Sequence, residues 1–217
     1  MDYNELISCF QDTIKMSEDE LQDATLEAID NTCVLKENIY EEVFENSNVK
    51  IKERPEDADV FVEVNTTFAT AKEYLQDGKV AVLNFANPIR PGGGVQNGAI
   101  AQEECLCRSS NLYCCLREEK VFEDYYLYHR KMDHYLSTDR LIYSKDITVF
   151  KNDNRIPVLM PARNWFQVDV ITCAAPYLIG NVNIDQNSLK RVFLKRIQNI
   201  LDAAILNQVD TIILGAF

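Results

Sequence analysis

At 217 residues, with 47% hydrophobic and 26% charged residues, the chain is long enough to bury its own core, and its composition argues against an intrinsically disordered protein. The formal net charge is −12 at pH 7, and 17 of the 34 acidic residues lie within the first 60 positions. This acidity argues against a surface that follows a phosphate backbone, so we expect no binding to nucleic acid.

The N-terminal segment MDYNELISCFQDTIK lacks the basic region and apolar core of a secretory signal, and no apolar run has the length of a bilayer span. We therefore expect a cytoplasmic protein with no membrane segment. Residues 3–15 and 17–30 have helical spacing, with Ser17 as the predicted N-cap of the second helix. The sequence predicts an acidic N-terminal helical extension, residues 1–58, ahead of a second region, residues 59–217.

Predicted strands and helices alternate beyond residue 58. The predicted strands cover residues 60–64, 79–86, 141–150, 156–160, 168–173 and 211–214, and the predicted helices cover residues 67–76, 99–119 and 188–207. The nearly continuous apolar character of residues 79–86 is typical of a strand that is covered on both faces. This order predicts an α/β sandwich around a mainly parallel sheet.

The cysteines and histidines give no pattern of a metal site or a disulfide framework. The seven cysteines are an odd number without a CxxC pair, so we expect reduced thiols that pack as small hydrophobic residues. His129 and His134 are five positions apart and do not share a helix face, which predicts solvated or capping roles. We expect no metal and no other cofactor.

The segment PGGGVQNGAIAQEE, residues 91–104, follows the predicted strand 79–86. Ligands bind where loops leave the carboxyl ends of parallel strands. The consecutive glycines Gly92, Gly93 and Gly94 allow positive φ angles and let backbone N–H groups approach a ligand, which suits a diphosphate. The segment lacks the Gly-Lys-Ser of a nucleotide-hydrolase phosphate loop and the G-x-G-x-x-G spacing of a dinucleotide-binding fold. The alternative explanation of the glycines is a tight turn.

Glu103 and Glu104 fall in the first turn of the helix predicted after this loop. Neighbouring helical residues diverge by about 100°, so the two carboxyl groups can take different roles. A carboxyl pair beside a glycosidic bond can protonate the leaving oxygen and stabilise an oxocarbenium-like transition state. Burial and mutual repulsion raise a carboxyl pKa, whereas a helix N-terminus lowers it, and the sequence leaves this balance open. The alternative is a pair that only complements the helix dipole.

Gly92–Gly94, seven intervening residues and Gln102–Glu104 resemble the signature of poly(ADP-ribose) glycohydrolases, and the preceding NFANP, residues 84–88, strengthens the likeness. Residues 155–178 and the final TIILGAF resemble the microbial, shorter-chain branch of that family. The resemblance implies a macrodomain-like three-layer α/β/α sandwich with a mixed, mainly parallel central sheet and an N-terminal helical extension, residues 59–217 being the catalytic domain. It also implies hydrolysis of ribose–ribose O-glycosidic bonds in poly(ADP-ribose), which releases ADP-ribose.

The resemblance also implies roles for individual residues. Glu104 corresponds to the catalytic acid that protonates the leaving oxygen, and Glu103 to the neighbour that holds the distal ribose hydroxyls. The implied substrate-binding residues are Asn87, Gly92, Gly93, Gly94, Val95 and Gln102. Poly(ADP-ribose) and ADP-ribose are the implied partners.

The C-terminus departs from the family pattern, because members continue after the last predicted strand into a second glycine-rich loop that completes the diphosphate site. We therefore expect a catalytic domain that is truncated relative to the family. The alternative function is a noncatalytic ADP-ribose-binding module. A third view is a partner-binding protein whose acidic N-terminal helices carry the function.

Overall fold

The computed structural model describes residues 3–39, 58–132, 136–178 and 184–215, and these ranges contain one five-stranded sheet. The strands are β1 (Thr32–Leu35), β2 (Val80–Phe85), β3 (Leu141–Val149), β4 (Phe166–Cys173) and β5 (Thr211–Ile213), in the spatial order β1-β3-β4-β2-β5. β2 runs parallel to β4 and β5, whereas β3 runs antiparallel to β1 and β4. The sheet is mixed, as predicted, but parallel and antiparallel pairings are equal in number.

Helices cover both faces of this sheet. Within the described ranges the α-helices are α1 (Tyr3–Glu18), α2 (Gln22–Asp30), α3 (Thr67–Glu73), α4 (Gln102–Ser109), α5 (Leu112–Leu116), α6 (Glu119–Val121), α7 (Tyr128–Arg130) and α8 (Gln186–Leu206). A π-helical segment, Phe122–Leu127, joins α6 to α7, and 3₁₀ turns occur at Val95–Asn97 and Ala162–Asn164. No helix of the described residues has the length and hydropathy that crossing a bilayer requires.

The alternation of side chains along β2 explains the three layers, because successive residues of a strand face opposite sides of the sheet. Val80 and Val82 belong to the larger core, which lies beneath α1 to α5, whereas Ala81 and Leu83 belong to a smaller core beneath α8. All four side chains are buried, which agrees with the predicted strand that is covered on both faces. The predicted α/β/α sandwich is confirmed.

The acidic N-terminal region packs directly on this sandwich. Phe10 of α1 and Ala28 of α2 lie in the larger core, and the short strand β1, which the sequence did not predict, extends the sheet beside β3. Ser17 is not a cap as predicted, since it lies inside α1 and its hydroxyl donates to the carbonyl of Thr13. The predicted division at residue 58 stays a prediction, and residues 40–57 lie outside the described ranges.

Two predicted strands are wrong. Residues 60–64 have no regular structure, and Val62 and Val64 are fully exposed, so their alternation reflects no buried face. Residues 156–160 form only an isolated bridge between Leu159 and Lys151.

The helix that was predicted over residues 99–119 is interrupted. Ser110 separates α4 from α5 because its extended backbone bridges to Val149 of β3. His129 also differs from the prediction, because it is buried, with Nδ1 2.7 Å from the carbonyl oxygen of Tyr125 and Nε2 accepting from the N–H of Thr138. His134 lies outside the described residues.

Candidate active site

The loop between β2 and α4 is held by hydrogen bonds within itself. Oδ1 of Asn87 accepts from the N–H groups of Ile89 and Arg90, both at 3.0 Å. An Asn side chain that accepts from the backbone two or three residues ahead is a typical start of a turn. The N–H of Gly93 donates to the carbonyl of Arg90, and that of Val95 to the carbonyl of Gly92. The loop is therefore a series of tight turns.

Gln102, the first residue of α4, ties the helix to β2. Its Oε1 accepts from the N–H of Phe85 at 2.9 Å, and its Nε2 donates to the carbonyl of Leu83 at 2.7 Å and approaches Oγ1 of Thr67 at 3.3 Å. β5 pairs only with residues 80–82 of β2. Beyond that pairing, the carbonyl of Leu83 and the N–H of Phe85 form hydrogen bonds with the Gln102 side chain in place of a neighbouring strand. The start of α4 is thereby fixed against the sheet.

Glu103 is buried and has hydrogen bonds to both carboxyl oxygens. Its Oε2 accepts from the N–H of Asn87 at 2.8 Å, and its Oε1 lies 3.4 Å from Nδ2 of Asn84. Burial raises the pKa of Glu103 to about 8, although the N–H of Asn87 and the amide of Asn84 oppose that rise. The neighbouring charge of Glu104 acts in the same direction as burial, and the resulting pKa of about 8 favours the protonated form of Glu103 at neutral pH.

Glu104 is also buried, but only one of its carboxyl oxygens has a partner. Oε1 accepts from the N–H of Gly94 at 2.7 Å. Oε2 has no hydrogen-bond partner among the described residues, although it is shielded from solvent. Buried polar atoms in proteins are almost always hydrogen-bonded, so an unsatisfied carboxyl oxygen calls for an explanation, and contact with a ligand is one. Of the four carboxyl oxygens of Glu103 and Glu104, Oε2 of Glu104 is the one without a partner among the described residues.

Gly93 lies between the two carboxyl groups. A Cβ atom on Gly93 would lie 2.4 Å from Oε1 of Glu104 and 3.1 Å from Oε2 of Glu103, and the φ angle of Gly93 is +57°. Both the space and the backbone conformation therefore require glycine. Both carboxyl groups therefore lie beside Gly93. Each accepts from a different backbone N–H, that of Asn87 for Glu103 and that of Gly94 for Glu104, which agrees with the different orientations predicted for the two side chains.

Comparison with protein families matches residues 10–152 to the family described as microbial-type PARG, catalytic domain, where PARG is poly(ADP-ribose) glycohydrolase. The match covers more than half of the chain. The chain belongs to this family. The predicted family is thereby confirmed, whereas a comparison with curated proteins gave no match.

Solved structures of microbial PARGs are similar over most of the chain. The enzyme from Thermomonospora curvata has 27% identity and a TM-score of 0.81, with 98% of this chain and 80% of that chain covered. The same enzyme bound to the inhibitor ADP-HPD has 27% identity and a TM-score of 0.79, with 98% and 79% covered. PARG from Deinococcus radiodurans in complex with ADP-ribose has 29% identity and a TM-score of 0.71, with 88% and 75% covered.

The glycine loop of this PARG chain differs from the predicted cradle of inward-pointing amides. The N–H groups of Gly93 and Gly94 donate to the carbonyl of Arg90 and to Glu104, so both are used within the protein. What the structure shows of the glycines is a close approach between backbone and carboxylate. Their contact with a diphosphate, like the other substrate contacts, stays a prediction.

The predicted contact of Val95 with the substrate stays a prediction, and it would use the backbone of Val95. Its side chain is fully buried in the larger core and its N–H donates to Gly92 within the loop. Val95 therefore anchors the loop and presents no side chain to a ligand. The side-chain amides of Gln102 and the Oδ1 of Asn87 are likewise engaged within the protein, so these residues position the PARG loop and helix.

Sequence reasoning missed two residues at this site. Asn84 is fully buried and its Nδ2 donates to Oγ1 of Thr172 at 3.1 Å as well as approaching Glu103. The sequence did contain a signal for Asn84, because it is the one polar residue in the apolar run VAVLNF. Burying a side-chain amide costs free energy unless the amide has a hydrogen-bond partner. Tyr113, which packs under Gly92, gave no local signal. Within the described ranges no group of three or more His, Cys, Asp or Glu residues could hold a metal ion.

Proposed function

We propose that this chain hydrolyses ribose–ribose O-glycosidic bonds of poly(ADP-ribose) and releases ADP-ribose, with Glu104 as the general acid and then the general base. The unpartnered Oε2 of Glu104 is the observation that carries this assignment. The family match and the related PARG structures with ADP-HPD or ADP-ribose support the substrate class.

The chemistry requires one proton to be passed and returned. A proton on Oε2 of Glu104 moves to the bridging oxygen as the bond from that oxygen to the anomeric carbon breaks, and the ribose develops oxocarbenium character. Water then attacks the anomeric carbon and gives its proton to Glu104, which restores the acid. Oε1 keeps its bond to the N–H of Gly94 throughout, so the carboxyl group stays in one orientation.

Glu103 is better suited to a supporting role. Both of its oxygens face N–H donors of the protein, so neither is as free as Oε2 of Glu104. Because burial raises its pKa to about 8, Glu103 adds little negative charge at neutral pH beside Glu104. We assign it to hold the distal ribose hydroxyls, with Asn87 and the glycine loop fixing its surroundings.

Incubation with labelled poly(ADP-ribose) tests the proposal. The chain is expected to release free ADP-ribose, Glu104→Gln to abolish release while it retains ADP-ribose binding in calorimetry, and Glu119→Gln, at an exposed glutamate of α6, to leave release unchanged. Full release by Glu104→Gln would overturn the assignment of the acid. Binding of ADP-ribose by the unaltered chain without any release would instead indicate the noncatalytic module.

A further inference from the structure

Tyr113 of α5 contacts the glycine loop at two points. Its ring edge lies against Gly92, where a Cβ atom would be 2.7 Å from Cδ2 of the ring. Its hydroxyl oxygen accepts a hydrogen bond from Nε2 of Gln96. Gly92 and Gln96 flank Gly93 and Gly94, so one buried side chain holds both sides of the segment that meets the glutamates.

The Tyr113 ring is itself fixed by two neighbours. Phe10 of α1 packs on it edge to face, with the ring centroids 4.9 Å apart and the planes at 89°. The guanidinium group of Arg117 lies 5.7 Å from the ring centroid and forms an ion pair with Glu18. Edge-to-face aromatic pairs and cation–π contacts both have preferred geometries. The ring therefore has little freedom to shift beneath the loop.

The geometry assigns Tyr113 as a positioning residue for Glu104. By holding Gly92 and Gln96, the Tyr113 side chain fixes the N–H of Gly94, which in turn orients the carboxyl group of Glu104. The inference rests on the proposed function of Glu104. Small errors in the placement of a reacting group reduce the rate of a reaction strongly, even when their origin lies away from the chemistry.

Tyr113 and Gln96 act from outside the site that they position. They line a groove of about 450 Å³ together with residues of α1 and Arg117, and neither glutamate lines it. Gln96 is exposed there and is not among the hydrogen-bond partners of either carboxyl group, so its replacement removes no direct bond of Glu103 or Glu104. The Gln96–Tyr113 hydrogen bond can therefore be removed without altering a group that is assigned to the substrate.

The closing experiment compares Tyr113→Phe, Gln96→Ala and the double variant. Tyr113→Phe keeps the ring on Gly92 and removes only the hydroxyl. We expect kcat to fall on the order of tenfold in each single variant while KM changes less than about twofold. The double variant should be no slower than the slower single variant, because both substitutions remove the same bond. Additive losses, an unchanged kcat, or a raised KM with unchanged kcat would overturn the inference.

Amide hydrogen exchange over residues 92–98 gives a readout that does not depend on activity. We expect faster exchange in both single variants than in the unaltered chain. The matched control is Tyr143→Phe, which loses a buried hydroxyl bond to Asp169, a residue that pairs with Ala81 near the opposite end of β2. It should destabilise the fold without changing exchange in the loop or kcat.

The two proposals can fail separately. If the unaltered chain releases no ADP-ribose but exchange in the loop still rises on Tyr113→Phe, the proposed function is wrong and Tyr113 still fixes the loop. If release is normal and exchange in the loop does not change in either variant, Tyr113 does not position Glu104, and the proposed function stands.

Discussion

Gly93 is the residue that makes room for Glu104, because a Cβ atom at Gly93 would lie only 2.4 Å from Oε1 of that carboxyl group. The glycines and the glutamates of this segment are therefore parts of one arrangement. Carboxyl groups that are buried beside a loop need N–H donors, and a backbone can supply them at this distance only where no side chain intervenes.

Gly93→Ala should disable the site. The added methyl group displaces Glu104, and the φ angle of +57° strains any L-residue, so we expect activity to fall at least about 100-fold and stability to fall by about 1–3 kcal/mol. Release of ADP-ribose and urea unfolding measure the two effects.

Gly78→Ala is the matched control for that substitution. Gly78 also has a positive φ angle, +136°, and a Cβ there would meet Asp210 just before β5, away from the glutamates. It should lose stability and keep its activity. Equal losses of activity in the two variants would show that strain alone explains the effect at Gly93.

The pKa of Glu103 makes the stability of the protein depend on pH. Burial raises this pKa from 4.5 to about 8, so between those values the native protein holds a proton that the unfolded chain has released. The associated stability is fully present below pH 4.5 and is lost as pH rises through about 8. We expect the free energy of unfolding to decrease by roughly a few kcal/mol over this window.

Glu103→Gln should flatten that dependence, because an amide does not titrate. Urea unfolding at pH 5, 7 and 9 measures the slope of stability against pH in the variant and in the unaltered chain. Glu119→Gln, which changes an exposed carboxyl group, should leave the slope unaltered. An identical slope in the Glu103 variant would show that Glu103 is ionised throughout the native range.

Gln102→Ala should loosen the contact between α4 and β2. The N–H of Phe85 and the carbonyl of Leu83 would lose their partners, and leaving such groups unsatisfied costs about 1–3 kcal/mol. Chemical denaturation measures the loss. Gln167→Ala is the control, since Gln167 is exposed on β4 and its contacts are long, both at 3.5 Å. If both variants are equally stable, Gln102 does not anchor the helix.

Asn87→Asp separates the two roles of Asn87. Aspartate retains the Oδ1 acceptor for the N–H groups of Ile89 and Arg90, so the loop should keep its stability, whereas Asn87→Ala should lose about 1 kcal/mol. Thermal unfolding distinguishes the two variants. Reduced activity in Asn87→Asp with normal stability would support the predicted contact between the Asn87 amide and ribose; normal activity would argue against it.

The strand, loop and helix that carry the site could be predicted because each has a local cause. The apolar run before residue 86 marks the buried strand, and Gly92–Gly94 marks the change of conformation. α4 follows this loop as predicted, although it starts at Gln102, three residues after the predicted start at residue 99. The two glutamates were therefore identified correctly as neighbours of the loop, although the direction of the loop amides was not.

The features that the sequence did not predict depend on contacts between residues that are far apart in the chain. The apolar spacing continues through Ser110, so no local signal shows that Val149 pairs with it and ends α4. β1 has only four residues, which is too short for its pattern to stand out. The antiparallel direction of β3 could not be predicted, because the sequence of residues 125–140 before it has no clear helical or strand period. That the Val95 side chain lies in the core could not be predicted either, because sequence proximity does not reveal which side of a loop faces the core.

The bond between Gln102 and β2 also bears on how molecules of this protein meet one another. Beyond the three residues of β2 that pair with β5, unpaired backbone groups of β2 would allow a strand from another molecule to pair with them. The side-chain amide of Gln102 acts there as a peptide group would, because it donates to the carbonyl of Leu83 and accepts from the N–H of Phe85. An added strand would need the same two backbone groups. The residue that anchors the helix of the two glutamates therefore also occupies backbone hydrogen-bonding groups of β2 that an added strand would use.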